Sequence, residues 1–293
     1  ERARLAARTA GDPAPPAGVR LDLPDWLVEP MRAGLGPGGD AAILALGARA
    51  PTDLRVNRRR ATPEAARARL AEDGVETEPG PLSPLCLRVT AGARRLRGAR
   101  VWLEGWVELQ DAASQAAALF AEARPGERAL DFCAGGGGKA LALAAEGAEV
   151  TAHDADPGRM ADLPARAARA GARIRRAERA PDGAFPLVFV DAPCSGSGAW
   201  RRNPDAKWAL TPARLAELGG IQGAVLAAAA RRVEAGGRLI YATCSLLEAE
   251  NGEAVARFLS APAGAAFRAA EALRLDPRDG GDGFFAIRLW RDG

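Results

Sequence analysis

Two cysteines of this 293-residue chain stand in matching settings. Asp191 to Trp200 reads DAPCSGSGAW and Tyr241 to Gly252 reads YATCSLLEAENG, so Cys194 and Cys244 each follow an apolar run and precede a serine. A cysteine does chemistry as the thiolate, which needs help to form because the free thiol titrates near pH ~8.5. A lone cysteine in an apolar setting is ordinarily a small buried hydrophobe. Two at the same edge of one sheet demand a common explanation, and a disulfide is the competing one. Against it, Cys86, Cys133, Cys194 and Cys244 are too few and too spread for a disulfide framework, a Cys-x-x-Cys redox pair or a zinc site. That usage points to a reducing cytoplasm and to no metal.

A second constellation lies upstream. DFCAGGGGK, Asp131 to Lys139, follows an apolar run and opens a helical pattern, and Asp154 comes nineteen residues after Gly135. Glycines let a backbone approach a ligand closely, and an acid at that spacing accepts hydrogen bonds from a ribose. The lysine is followed by Ala140, so no hydroxyl is offered to magnesium as in a P-loop. The residues alone leave a phosphate-bearing dinucleotide and S-adenosylmethionine both open. Of the forty basic residues only Lys139 and Lys207 are lysines. A chain that uses arginine for generic charge keeps a compact ammonium where a planar guanidinium does not fit, so both lysines are candidates to supply positive potential to a thiol. His153, the single histidine, and Tyr241, the single tyrosine, are expected to pack, and Ser195 and Ser245 to cap helices or shape turns.

The elements that must position these residues follow from pattern. Residues 1–20 read as an Ala/Pro/Gly/Arg-rich tail. Residues 21–108 read as a small α+β module: a helix near residues 40–48, LRVN as a strand, a helix with Thr62 as N-cap and Pro63 in its first turn, then strand-like LCLRV and ARVWLEGWVEL. From residue 109 to 293, helices alternate with the strands RALDFCAG, EVTAHDAD, ARIRRA, PLVFVDAP and RLIYATCS, with a helical stretch interrupted at Pro164 and a terminal hairpin, FRAAEALRL with FFAIRLW. Alternation of this kind predicts a doubly wound, mostly parallel sheet with its chemistry at the carboxyl ends of the strands. About half the residues are apolar and a quarter charged, the composition of a soluble globular protein. No run approaches the roughly 18 apolar residues that span a bilayer, and the opening ERARLAARTA lacks a signal peptide's apolar core. The net charge of +3 is small, but arginines cluster at 58–60, 94–100, 175–176 and 201–202, where they can serve phosphate contacts.

DAPCSGSGAWRRNPDAKW and YATCSLLEAENGEAV resemble the two signature motifs of the Sun/Nop (RsmB-type) RNA cytosine-5 methyltransferases. LDFCAGGGGK resembles their cofactor loop with Gly135-Gly136 in place of the usual Ala-Pro. LQDAASQ resembles their pre-core helix and GGDGFFAIRL their closing strand, while LDLPDWL, LRVN and the TPEAARARL helix resemble their small RNA-binding module. The resemblance covers roughly residues 20–293. It implies a class I, Rossmann-like, seven-stranded methyltransferase domain using S-adenosylmethionine, held by Cys133, Ala134, Gly135, Gly136, Gly137, Gly138, Lys139, Asp154, Arg159 and Asp191. It further implies Cys244 as nucleophile, Cys194 as the group that assists adduct breakdown, and Asp191 as the acid that contacts the base. Pro193, Arg201, Arg202 and Lys207 are expected to meet the RNA. Where the family has an aspartate for the adenine amino group, this sequence offers only Glu178 or Asp182. Family members often carry a further helical domain at the amino terminus, with which this sequence does not begin, so RNA docking is expected to rest on residues 20–108 and the basic clusters. Ribosomal RNA is the expected partner, transfer RNA the second, with a monomer as the default state. A methyltransferase for another substrate, a nicotinamide dehydrogenase and a non-catalytic RNA-binding relative are the rival readings.

Overall fold

The structure, a computed structural model, describes residues 15–293. The expected tail lies outside the described residues as far as residue 14. Residues 17–21 form a helix, Ala17–Leu21, instead of continuing a tail. Leu21 and Leu23 account for the difference, because they bury in an apolar cluster with Leu27, Met31 and Trp200. LDLPDWL then leads into the helix Asp25–Leu35, followed by Gly39–Ala45.

Four strands make an antiparallel sheet: β1 (Asp53–Val56), β2 (Glu76–Pro79), β3 (Cys86–Ala91) and β4 (Val107–Leu109), in the order β2-β3-β1-β4. The helix Pro63–Glu72 starts as its sequence dictates, with Thr62 Oγ1 accepting from Ala65 N at 3.2 Å and Pro63 at the first helical position. ARVWLEGWVEL is not one strand. It forms the short helix Arg100–Leu103, a turn at Gly105 and the three-residue β4. Val101 and Val107 reach the same buried cluster from these two elements, which an unbroken strand would not allow. The turn is specified by Gly105, at φ +70°, where a Cβ would lie 1.9 Å from the Arg169 carbonyl oxygen.

Seven strands form the second sheet: β5 (Arg128–Asp131), β6 (Glu149–His153), β7 (Ile174–Ala177), β8 (Phe185–Asp191), β9 (Val233–Thr243), β10 (Phe267–Leu275) and β11 (Phe284–Arg291). Their order is β10-β11-β9-β8-β5-β6-β7, parallel from β9 to β7, with β11 and β10 joined antiparallel at the β9 edge. Successive side chains of each strand go to opposite faces. Leu187, Phe189, Ile240 and Ala242 pack under Ala113, Ala117, Ala140 and Leu143 of the helices Ala112–Phe120 and Gly138–Ala145. Val188, Val190, Leu239 and Tyr241 pack under Leu226, Ala229, Val255 and Phe258 of the helices Pro212–Ala230 and Gly252–Leu259. Both faces are thus covered, as a parallel sheet requires. Pro164 does not interrupt a helix; it opens the helix Leu163–Ala170, where its missing N–H costs nothing. The chain leaves β5 toward β6 on one side and returns to β8 on the other, which opens a crevice at the carboxyl ends of these strands.

Candidate active site

β8 and β9 run parallel with Asp191 opposite Ala242, so the segments carrying Cys194 and Cys244 leave the same edge of the sheet. Their sulfurs lie 3.5 Å apart. Both cysteines are free, half-buried and line one cleft of about 660 Å³. The contact with the Cys244 sulfur, burial and the Glu250 carboxylate together hold the Cys194 thiol well above its usual pKa. Cys133 lines the same cleft, and burial pushes its thiol up as well.

Across from the sulfurs, Lys139 Nζ donates to Asp191 Oδ2 at 2.7 Å. The lysine side chain is only 7% exposed, against 32% for Asp191. Its ammonium also sits 4.8 Å from the centroid of the Phe284 ring, an arrangement that suits a point cation. Ala134, Gly135, Gly136, Gly138, Arg159 and Pro193 complete the expected residues on the cleft wall. The Pro193 carbonyl accepts from Gln222 Nε2 at 3.0 Å.

The glycine loop is held from below. Asp154 Oδ2 accepts from Gly135 N at 2.9 Å, Asp154 Oδ1 from Asp156 N at 3.0 Å, and Arg159 Nη1 lies 3.4 Å from Asp154 Oδ2. Gly137 precedes the helix Gly138–Ala145 at φ +83°, and a Cβ there would meet Leu163 Cδ1 at 2.3 Å. Glycine is therefore required on both backbone and packing grounds. Under the loop, Asp131 is fully buried with neither carboxylate oxygen partnered. Burial and the nearby Asp191 raise its pKa to about 7. A glycine cradle, an acid at its back, an ion pair beside it and orphaned polar atoms beneath it fit a small polar cofactor in this cleft.

Several expected residues are engaged elsewhere. Lys207 is bound through Nζ to Asp22 Oδ2 and is not on the cleft wall. It serves to tie the segment after Ala17–Leu21 to the helix Ala206–Ala209. Arg201 and the exposed Arg202 pair with two buried carboxylates: Arg201 Nε to Asp282 Oδ1 at 2.5 Å, Arg202 Nε to Asp282 Oδ2 at 2.6 Å, and Arg202 Nη2 to Asp111 Oδ2 at 2.7 Å. Arg201 is only 6% exposed, with its Nε on Asp282. Glu178 and Asp182 are exposed, and neither lines the cleft. His153 packs against Phe132, with ring centroids 5.2 Å apart, and its Nδ1 lies 3.2 Å from the Ala177 carbonyl oxygen. Tyr241 is buried in the core and donates to the Glu250 carbonyl at 2.7 Å.

Three carboxylates escaped the sequence reading: Asp131, Asp282 and Glu250. Asp131 was signalled by its place at the end of the apolar run that opens the glycine loop. Asp282 lines the cleft and lies in the quoted closing-strand motif. Glu250 stands five residues after Ser245, and nothing local to its segment announces its partners.

The family described as 16S rRNA methyltransferase RsmB/F matches residues 118–289, and the one described as Methyltr_RsmF/B-like, ferredoxin-like domain matches residues 23–94. The ribosomal RNA small subunit methyltransferase B of Salmonella paratyphi B is 34% identical over 292 aligned residues, covering 92% of this chain and 67% of that protein. The crystal structure of PH0851 superposes with a TM-score of 0.85 at 27% identity, covering 98% of this chain and 71% of that one. A methyltransferase homolog protein from Pyrococcus horikoshii superposes with a TM-score of 0.81 at 21% identity, covering 94% and 97%. With a ferredoxin-like sheet before a seven-stranded Rossmann-like domain and a paired-cysteine cleft at the switch point, this chain belongs to the RsmB/F family of methyltransferases.

Proposed function

We propose that the protein methylates carbon 5 of a cytidine in structured RNA, ribosomal RNA before transfer RNA, with S-adenosylmethionine as the donor. The observation that carries this reading is the pair of sulfurs 3.5 Å apart in one cleft, beside the glycine loop and the Lys139–Asp191 pair. Bound S-adenosylmethionine supplies an electrophilic methyl group. Ala134, Gly135, Gly136, Gly138 and Arg159 would hold it along the cleft wall, with Asp154 fixing the loop from behind.

Carbon 5 of cytosine is a poor nucleophile, and a methyltransferase for it needs a group that adds to the ring first. The Cys244 thiolate attacks carbon 6, forming the sulfur–carbon bond and pushing electron density toward carbon 5 and the ring nitrogen. Asp191, held by Lys139 at 2.7 Å, accepts from the amino group, and the Lys139 ammonium beside it stabilises the negative charge that builds on the ring. After carbon 5 has taken the methyl group, its proton passes to solvent in the cleft, the freed electron pair restores the carbon 5–carbon 6 double bond, and the sulfur–carbon 6 bond breaks. Cys194, kept as the protonated thiol, stands within reach to donate to the leaving Cys244 sulfur. One cysteine joins and the other releases, which is why the chain carries both.

The base must leave its stack to reach this cleft, at a cost of a few kcal/mol that is least in loops and single strands. Residues 21–108 serve as the RNA-docking module and residues 109–293 as the methyl-transfer domain, in a monomer acting in the cytoplasm. The relatives named for the small ribosomal subunit favour ribosomal RNA. Nucleoside mass spectrometry after incubation with S-adenosylmethionine and a small-subunit RNA tests the reading. It expects 5-methylcytidine from the unaltered protein and at least a hundredfold loss in Cys244→Ala. A methyl group on another atom, or an undiminished signal from Cys244→Ala, would overturn it.

A further inference from the structure

Each cysteine is followed by a serine, and the structure shows what the serines do. Glu250 is fully buried. Its Oε2 accepts from Ser195 Oγ and from Ser245 Oγ, both at 2.5 Å. Its Oε1 accepts from Ser195 N at 2.8 Å and from Gln222 Nε2 at 3.0 Å. Ser197 extends the set, with its Oγ 3.0 Å from Ser245 Oγ and accepting from Leu246 N at 2.8 Å. Four donors converge on this one carboxylate. The two serines belong to segments fifty residues apart and are the immediate neighbours of Cys194 and Cys244. The carboxylate is thus the joint between the two cysteine turns.

We propose that Glu250 is a positioning residue: through Ser195 and Ser245 it sets the separation of the two sulfurs and makes them chemically unlike, so that Cys194 is the donor and Cys244 the nucleophile. The inference rests on the covalent reading above for its consequence in catalysis, but not for its geometry. The groups facing Cys194 are Cys244, Glu250 and Tyr241, with Cys133, Asp191 and Lys139 also around the cleft. The contact with Cys244 and burial raise the proton affinity of the Cys194 thiol most, and the buried Glu250 carboxylate, bonded to Ser195 N and Ser195 Oγ beside it, adds to them. A thiol held protonated 3.5 Å from its neighbour donates to a departing thiolate, whereas two equal thiols would compete for the same carbon.

The test compares Glu250→Gln and Glu250→Asp with the unaltered full chain. Cys194 and Cys133 alkylation by iodoacetamide is followed against pH by peptide mass spectrometry. Glu250→Gln is expected to move the Cys194 profile to lower pH, with at least a fivefold faster rate at pH 8, while Cys133 keeps its profile. Glu250→Asp, which keeps the charge but withdraws it by one methylene, is expected to leave the Cys194 profile near that of the unaltered chain. In single-turnover reactions with RNA, both variants are expected to release the protein–RNA adduct at least tenfold more slowly. An unchanged Cys194 profile in Glu250→Gln, or Cys133 and Cys194 rising together as in a loosened fold, would overturn the inference. Should Glu250→Gln fail to fold, Ser195→Ala and Ser245→Ala each remove one strut, and undiminished release rates in both would overturn it equally. Absence of any adduct in the unaltered protein would count against the covalent reading alone, since the alkylation profiles still decide the role of Glu250.

Discussion

Cys194, Cys244, Asp191 and Lys139 meet in one cleft; the two cysteines were legible from their type and strand-end position, Lys139 from the scarcity of lysine beside a glycine run, and Asp191 from the motif it opens. Asp131 was not legible as a buried charge problem, because its surroundings come from other strands. Its pKa of about 7, against an ordinary 3.8, means that the folded state holds this proton more tightly than the unfolded state. The stability so gained is complete below about pH 4 and is lost as the pH rises to about 7, a fall of ~4 kcal/mol by linkage. Asp131→Asn is therefore expected to flatten the decline in denaturation midpoint between pH 4 and 7, measured by chemical unfolding at several pH values. An unaltered slope would refute the assignment. Lys139 belongs to the same scale. If its ammonium, 2.7 Å from Asp191, supplies the positive potential of the cleft, Lys139→Met should slow Cys244 alkylation at pH 8 severalfold. Equal reactivity would remove Lys139 as the activator. The sequence reading gave Lys207 the same standing, and its pairing with Asp22 depends on a segment distant in the chain that no local pattern exposes.

At the scale of elements, periodicity and end signals served where an element is governed by its own residues. Thr62 and Pro63 start their helix, and the alternating strands β8 and β9 send residues to both covered faces. They failed where tertiary packing decided, as in residues 99–109, whose apolar residues reach one cluster from a helix and a strand rather than from one extended run. The glycine loop permits a paired test. Gly137→Ala places a Cβ 2.3 Å from Leu163 Cδ1 at φ +83° and is expected to cost at least about 1–3 kcal/mol, with weaker S-adenosylmethionine binding by calorimetry. Gly220→Ala, inside the helix Pro212–Ala230 with open space around the new Cβ, is expected to stabilise by about 0.5–1 kcal/mol. Thermal unfolding of the two variants checks both signs.

Across the whole molecule, the small sheet is fastened to the larger domain by polar contacts. Arg169 Nη2 reaches Glu108 Oε2 at 2.7 Å, Asn57 Nδ2 reaches the Ala170 carbonyl at 2.9 Å, and Arg88 Nη2 reaches the Gly280 carbonyl at 2.5 Å. None of these pairs was foreseeable, since the partners are between sixty-one and 192 residues apart. The ion cluster of Arg201, Arg202, Asp111 and Asp282 fixes the loop after Cys194 to the strand-β11 approach. Asp282→Ala removes the shorter of buried Arg201's two carboxylate contacts, leaving Asp111 at 3.5 Å, and is expected to cost about 1.5–3 kcal/mol, read by chemical denaturation. Arg94 and Arg97, by contrast, are exposed on the small module. Replacing both with Gln should lower the slope of log affinity for RNA against log salt by about 1.4 if each meets a phosphate. The central claim, that one sulfur forms the bond to the base and the other breaks it, has a direct measurement. Cys194→Ala, incubated with S-adenosylmethionine and its RNA and run on a denaturing gel, is expected to accumulate a methylated protein–RNA adduct that the Cys194→Ala, Cys244→Ala double variant does not form. A Cys194→Ala protein that turns over freely with no trapped RNA would contradict the account.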